Sequence, residues 1–325
     1  MAQTTTTVLP RALAITLLAV TPVAAQDNYP SQTIKIVVPL GPGPFPDALT
    51  RIVAGKLQAR WGHPVIVENR PGAANNIGAE AVAKSPPDGY TLLSAPQGPF
   101  VIARHFFQKL GYDPAAFVPV TVMASLPYTL VANPKAPYAS LQELIAYAKA
   151  NPDKVTYASA GTGGQPHLIG ELLQYASGIR LRHVPYKAGL GQAMTDLIGG
   201  HVDLMFDNIG NTLPQIKDGK VKVLATLSEA RIPQLPDVPA IAETYPAVVT
   251  TGWYAIAAPP RPPPGIVAKL AGAIGETLKL PDVAQRLTTY NAVAVGGSPA
   301  ATAAFFKKES DIWRQVIVTN GITSD

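Results

Sequence analysis

The sequence predicts an α/β protein built on a largely parallel sheet with helices on both faces. Three observations predict it. Near-continuous apolar runs such as residues 34–40 (IKIVVPL) have the character of strands buried on both faces. Segments with helical apolar spacing alternate with them along most of the chain. Residues 183–208 (HVPYKAGLGQAMTDLIGGHVDLMFDN) then compress strand, helix, glycine stop and strand into one compact βαβ unit. In that unit Ala193, Leu197 and Ile198 share a helix face, and Gly199 and Gly200 end the helix because glycine accepts a left-handed cap cheaply.

The elements follow in order. After the first strand, the turn GPGPFPD leads into a helix over 48–61, with Leu49, Ile52, Val53 and Leu57 at helical spacing. Residues 64–68 form a second strand that ends in the loop NRPGAANNIG, followed by a helix over 77–84, a turn at 86–89 and a third strand over 90–94. The pattern then repeats. A strand over 128–132 precedes a helix over 141–150, which Ser140 caps, with Glu143 at the third helical position. A short strand over 156–158, the loop SAGTGGQPH and a helix over 168–176 lead to the βαβ unit, and strands over 221–226 and 253–258 follow. Helices over 266–279 and 299–319 close the chain. They have no strands of their own to cover, so they are expected to return to the first domain, which is then made from both ends of the chain.

Composition narrows the class. Residues 1–25 read as a secretory signal peptide: Arg11, an apolar core over 12–20, and small residues before a cut near Ala25/Gln26. No later run is apolar enough to span a bilayer. With no cysteine, disulfides, thiol catalysis and thiolate metal sites are excluded. The net charge of +5 is scattered, without the basic stripe that nucleic-acid binding requires. The 33 prolines fall mostly between elements and, with 47% apolar residues, punctuate a folded chain.

Three loops lie between a strand's C-terminal end and the next helix, where open α/β sheets place ligands. They are 41–47, 159–167 and the Pro185-Tyr186-Lys187 turn. Each could hold an anion at a helix N-terminus, and each could equally be a connector that needs glycine for its shape. Neither GPGPFPD nor GTGGQPH satisfies G-x-G-x-x-G, a P-loop is missing, and Ser159 sits in Y-A-S-A-G and not in a nucleophile elbow. His167, His183 and His201 lack metal-ligand spacing. Catalysis therefore has no support in the sequence.

Several segments together resemble the periplasmic receptors of tripartite tricarboxylate transporters, the Bug family. They are IKIVVP at 34–39, VIVENRPGA at 65–73, NIGAEAVAKSPPDGYTLL at 76–93, GTGGQPHLIGELL at 161–173, HVPYK at 183–187, VDLMFDN at 202–208, LPDVPAIAE at 235–243 and W-x-x-I-x-A-P from Trp253. The resemblance implies a two-lobed periplasmic-binding-protein fold with a ligand cleft between the lobes. Lobe 1 would comprise 26–127 plus 252–325, and lobe 2 would comprise 128–251. It implies capture of a small carboxylate, hinge closure, and delivery to one large and one small membrane subunit. The protein would be a periplasmic monomer, without cofactor or metal. By position, Phe45, Pro46, Asp47, Arg70, Asn75 and Gln97 would face the ligand from lobe 1. Ser159, Gly161, Thr162, Gly163, His167, Tyr186, Lys187 and Asp207 would face it from lobe 2.

Two departures stand out. The family pattern P-G-G-x-x-D is replaced by Pro42-Gly43-Pro44-Phe45-Pro46-Asp47, which removes two backbone donors and adds a ring. Phe100 stands in QGPFVIARHF at 97–106, where relatives tend to be small and polar. Both departures lead to the expectation of an aromatic or longer-chain carboxylate, with Phe45 shaping the pocket or else packing on its own lobe. A receptor feeding a membrane sensor kinase is the alternative, and an α/β enzyme a more distant one.

Overall fold

The computed structural model describes residues 2, 28–186 and 189–322. Ala2 apart, the expected signal peptide and its cleavage point lie outside these residues, as does Lys187.

β1 (Ile34–Val38) pairs in parallel with β2 (Val65–Asn69) and with β3 (Thr91–Pro96). α1 (Phe45–Trp61) and α2 (Asn76–Ala83) make the crossovers. α1 buries Leu49, Val53 and Leu57 against this sheet, as their spacing predicts, and each such side chain contributes roughly 1.5–3 kcal/mol by leaving water. A five-residue π-turn over Gly98–Ile102 and the short α3 (Ala103–Phe106) follow.

β4 (Val118–Ala132) is 15 residues long, three times the expected strand. Pro119 and Pro127 mask it in the sequence, because proline cannot donate to a ladder and is tolerated in strands mainly at edges and irregularities. The register against β9 (Thr251–Ala258) shifts at two places, between Pro119 and Thr121 and between Val122 and Ala124. β4 is also the joint of the molecule. Up to Pro127 it pairs with β9, and from Tyr128 it pairs with β7 (Leu204–Asn208) and, from Thr129, with β8 (Lys222–Thr226). β4 exchanges partners between Pro127 and Tyr128, and β9 begins at Thr251.

The second lobe adds α4 (Leu141–Ala150), β5 (Thr156–Ser159), α5 (Gln165–Ser177), β6 (Arg182–Pro185), α6 (Leu190–Gly199) and α7 (Ile209–Lys217). Ser140 Oγ accepts the Glu143 amide at 3.2 Å, and Glu143 Oε2 accepts the Ala139 amide at 2.7 Å, so the predicted cap is present. Gly200, with φ at 85°, ends α6 in the left-handed conformation foreseen from the double glycine. The sheet runs β2-β1-β3-β9-β4-β7-β5-β6 and is mixed, not largely parallel as expected. β1 with β2 and β3, and β5 with β6 and β7, pair in parallel. β9 pairs antiparallel with β3 and β4, and β4 pairs antiparallel with β7 and β8, because the chain crosses between lobes on β4 and β9.

α8 (Pro264–Leu278), α9 (Pro281–Thr289), β10 (Val293–Gly296) and α10 (Pro299–Thr319) close the chain and pack on the first lobe. β10 was not visible in the sequence: it is four residues long, pairs with β4, and leaves Val293 and Val295 exposed. Phe100 is 3% exposed and packs among Phe117, Trp253 and Phe306 beneath α10, so it is no wall of the cavity between the lobes. Trp253 Nε1 donates to Glu309 Oε2 at 2.9 Å and ties α10 to the sheet.

Candidate functional site

A cavity of about 230 Å³ lies between the lobes. Its walls come from strand ends and the helix N-termini that follow them. Seven prolines (Pro39, Pro42, Pro44, Pro46, Pro71, Pro96 and Pro166) with Leu40 and Leu190 make the body apolar and stiff. Polar groups are few: Asn75, Tyr128, Gln165, Asp207, Asn208, Asn211 and Tyr254. Among the described residues no Lys, Arg or His lines it, and Asp207 is its one acid.

Five helices begin on this wall. The N-caps of α1, α2, α5, α6 and α7 are Pro44, Asn75, Gly164, Gly189 and Asn208, and none makes a side-chain cap bond. Away from the cavity, α4 and α10 are capped by Ser140 and Ser298, whereas α8 and α9 start at Pro263 and Leu280 without a side-chain cap. An uncapped N-terminus leaves amide donors and the positive end of the helix dipole for an anion. α1 and α2 are exceptions, because their first donors are spent inside the protein: in α2 the Asn76 amide donates to Ala73 O and the Ile77 amide to Gly72 O. In α1 the Phe45 amide donates to Asn211 Oδ1 at 3.0 Å, residue 46 is proline, and the Asp47 amide donates to Pro44 O at 3.0 Å. α6 is the opposite case: the Gly189-Leu190-Gly191 entry on the wall carries no proline and little side-chain bulk.

Asp207 is 1% exposed. Burial pushes its carboxyl up to about 7, although N–H groups of Asn211 and Asn208 offset part of that cost. Asn211 Nδ2 donates to Oδ2 at 3.0 Å, while the Asn208 amide (2.7 Å) and Asn208 Nδ2 (3.0 Å) donate to Oδ1. Asn208 Nδ2 also donates to Tyr254 Oη at 2.9 Å, and Tyr128 Oη donates to Gln165 Oε1 at 2.8 Å. Burial raises both tyrosines well above the ordinary phenol range, so both keep their protons.

Of the expected contact residues, Pro46, Asn75 and Asp207 line the cavity. The remainder of those described support it or stand apart. Phe45 turns its ring away, 5.8 Å from Tyr254 and 4.9 Å from Tyr290 by ring centroid, and packs over Gly210. Phe45 thus faces away from the cavity, packing on Tyr254 and Tyr290 of its own lobe and also, because the first turn of α1 is seated on α7, on Gly210 of the other. We expect Phe45→Leu to cost about 1–2 kcal/mol of stability and to leave the order of ligand preference unchanged, measured by thermal shift with and without ligands. Asp47 is buried and braces the first loop, with Oδ2 accepting the Gly43 amide and Arg51 Nε, both at 3.0 Å, and Oδ1 accepting Asn69 Nδ2 at 2.8 Å. Burial raises its pKa, but these bonds and the Arg51 charge outweigh that and hold the carboxyl below its ordinary value. Arg70 pairs with Glu68 at the surface, Thr162 is exposed, and Tyr186 Oη donates to Asp196 Oδ2 at 2.9 Å. Gln97 is wholly buried, off the cavity wall, with neither end of its side chain hydrogen-bonded.

The 159–167 loop works through its backbone. Ser159 Oγ contacts His183 Nε2 at 2.6 Å and accepts the Gly161 amide at 3.1 Å, so Ser159 shapes the turn. The Gly163 amide donates to His167 Nδ1 at 3.2 Å. Gly161 and Gly163 stand at one place where the lobes touch. A Cβ on Gly161 would stand 3.4 Å from Ala74 N, and one on Gly163 would stand 2.4 Å from the Phe106 ring. Reading from sequence missed Tyr128, Gln165, Gly189 to Gly191, Asn208, Asn211 and Tyr254. The glycines flanking Leu190 at an uncapped helix start were a usable signal. The two tyrosines had none, since strand residues at a joint look like any core aromatic.

The comparisons with known proteins agree with this geometry. A family model described as the tripartite tricarboxylate transporter family receptor matches residues 49–322. The periplasmic binding protein BugD is similar in structure, with a TM-score of 0.86, 34% identity, and 91% of this chain and 100% of that one covered. An R. palustris protein solved with adipate has a TM-score of 0.86, 33% identity, and coverage of 91% and 99%. MatC from Rhodopseudomonas palustris, with bound malate, has a TM-score of 0.85, 32% identity, and coverage of 89% and 100%.

Proposed function

The chain belongs to the tripartite tricarboxylate transporter receptor family, whose members are receptors and not enzymes, and we propose that it captures a carboxylate with an apolar body in its interlobe cavity and delivers it to the membrane subunits of such a transporter. One observation carries the ligand class: the uncapped N-termini of α5, α6 and α7 converge on a proline-walled space that has no described cation. Amide donors and helix dipoles suit a single carboxylate, and the proline wall suits a hydrocarbon or aromatic body. The apolar character expected from Phe45 is thus supplied by Pro39, Pro42, Pro71, Pro96 and their neighbours. Adipate and malate, bound by structurally similar proteins, are the natural first probes. Delivery across a membrane needs separate subunits, because among the described residues no helix is long and apolar enough to span one.

The test is a thermal-shift series on residues 26–325 with adipate, malate, benzoate and citrate. Ligand at 100 times its dissociation constant adds about 2.7 kcal/mol to native stability. Adipate or benzoate should raise the melting temperature more than citrate does, since three charges exceed what amide donors alone can neutralise. No response to any of the four would overturn the carboxylate reading.

A further inference from the structure

Ala73, Ala74 and Asn75 hold φ values of 47°, 49° and 76°, three consecutive non-glycine residues in the left-handed region. L-residues resist that region, and such strain persists only where the surroundings over-determine it. Here they do. Asn76 Nδ2 donates to Ala73 O at 2.8 Å, and Asn76 Oδ1 in turn accepts Tyr112 Oη at 2.6 Å, which anchors the turn from behind. In front, Ala74 is pressed against Gly161 and Gly164 of the opposite lobe.

The strained turn places Asn75 on the cavity wall. Beside it Gly98 leaves room: a Cβ there would come to 4.0 Å from Asn75 Nδ2. The other carboxamides on the wall are committed to protein partners. Gln165 holds Tyr128, Asn208 holds Asp207 and Tyr254, and Asn211 holds Asp207 and the Phe45 amide. Asn75 hydrogen-bonds to none of the described residues through its side chain: it is half-buried and stands at the N-cap position of α2 without making a side-chain cap bond.

We propose that Asn75 is the specificity-determining side chain of the cleft, its Nδ2 donating to a carboxylate oxygen of the ligand, with the left-handed turn retained because it aims that amide. The inference rests on the carboxylate-receptor reading above. It also explains why strain survives where glycine would be the comfortable residue.

Asn75→Gly separates recognition from folding, since glycine accepts φ of 76° without penalty. The probe is whichever of adipate, malate and benzoate most raises the wild-type melting temperature, with affinity measured by calorimetry. Asn75→Gly should melt at or above the wild-type temperature and yet bind at least roughly tenfold more weakly, the scale of a lost hydrogen bond to a charged group. Asn75→Asp should weaken binding further, because a carboxylate then faces a carboxylate. Unchanged affinity in Asn75→Gly overturns the proposal, and so does a joint fall in melting temperature and affinity, which would mark a structural role. If none of the three probes binds the wild type, the carboxylate reading falls and this proposal falls with it.

Discussion

Replacing Gly163 by alanine should hinder closure of the cleft and weaken ligand capture by roughly ten- to a hundredfold. Gly163 has φ of 81°, and its absent Cβ would stand 2.4 Å and 2.6 Å from two Phe106 ring atoms and 2.8 Å from Phe107. Those rings belong to the first lobe, whereas Gly163 belongs to the second. Phe106 is 4% exposed and also meets His167 edge-on, so it has little room to retreat. Overpacking of this kind costs about 1–3 kcal/mol and a left-handed alanine adds about 1–2 kcal/mol. The overpacking part is relieved when the lobes separate, so the cost falls mainly on the closed, ligand-holding state. Calorimetry should show the affinity loss, and small-angle scattering should show a larger radius of gyration for the variant. Affinity within threefold of wild type would mean that this seam is not part of closure.

The second prediction concerns acid–base behaviour. Asp207 titrates near 3.8 when unfolded and, because of burial, at about 7 when folded, so between those values the native state holds the extra proton. Stability from this group is therefore fully present below about pH 4 and is lost as pH rises to 7, nominally about 4 kcal/mol for a shift of this size. His183 works in the opposite direction. Burial, then the neighbouring His167, lowers its pKa from 6.5 to about 4, so folding gains stability as pH rises through that window. His183 is less deeply buried and offsets only part of the Asp207 effect. Wild-type stability should decline modestly between pH 4 and 7, whereas in Asp207→Asn it should rise over the same range as the His183 contribution is unmasked. Denaturant midpoints at half-unit pH steps read the difference. Parallel profiles for the two proteins would remove Asp207 as a buried titrating group.

Much of this architecture was legible in the chain. The apolar run at Ile34, the spacing of Leu49, Val53 and Leu57, the Ser140 cap and the Gly199-Gly200 stop each report a local physical preference, and each is found in place. What was illegible depends on distant partners. Of β4 only 128–132 reads as strand, because Pro119 and Pro127 interrupt the propensity of the rest, but pairing with β9, β7 and β8 overrides them. β10 is too short and exposed to carry an apolar pattern.

The sequence by itself determined the fold class, the family and the loops that carry the site, because these follow from periodicity, turn chemistry and repeated segment matches that each reside in a few adjacent residues. Tertiary structure alone decided which side chains line the cavity. Phe45 and Asn75 occupy equivalent loops at strand ends, yet Phe45 turns inward onto Gly210 and Tyr254 while Asn75 is held against the cavity by a left-handed turn pressed on Gly161. The direction of a side chain at a cleft is set by what the opposite lobe offers it, and residues more than 80 positions away in the chain leave no mark on the local pattern.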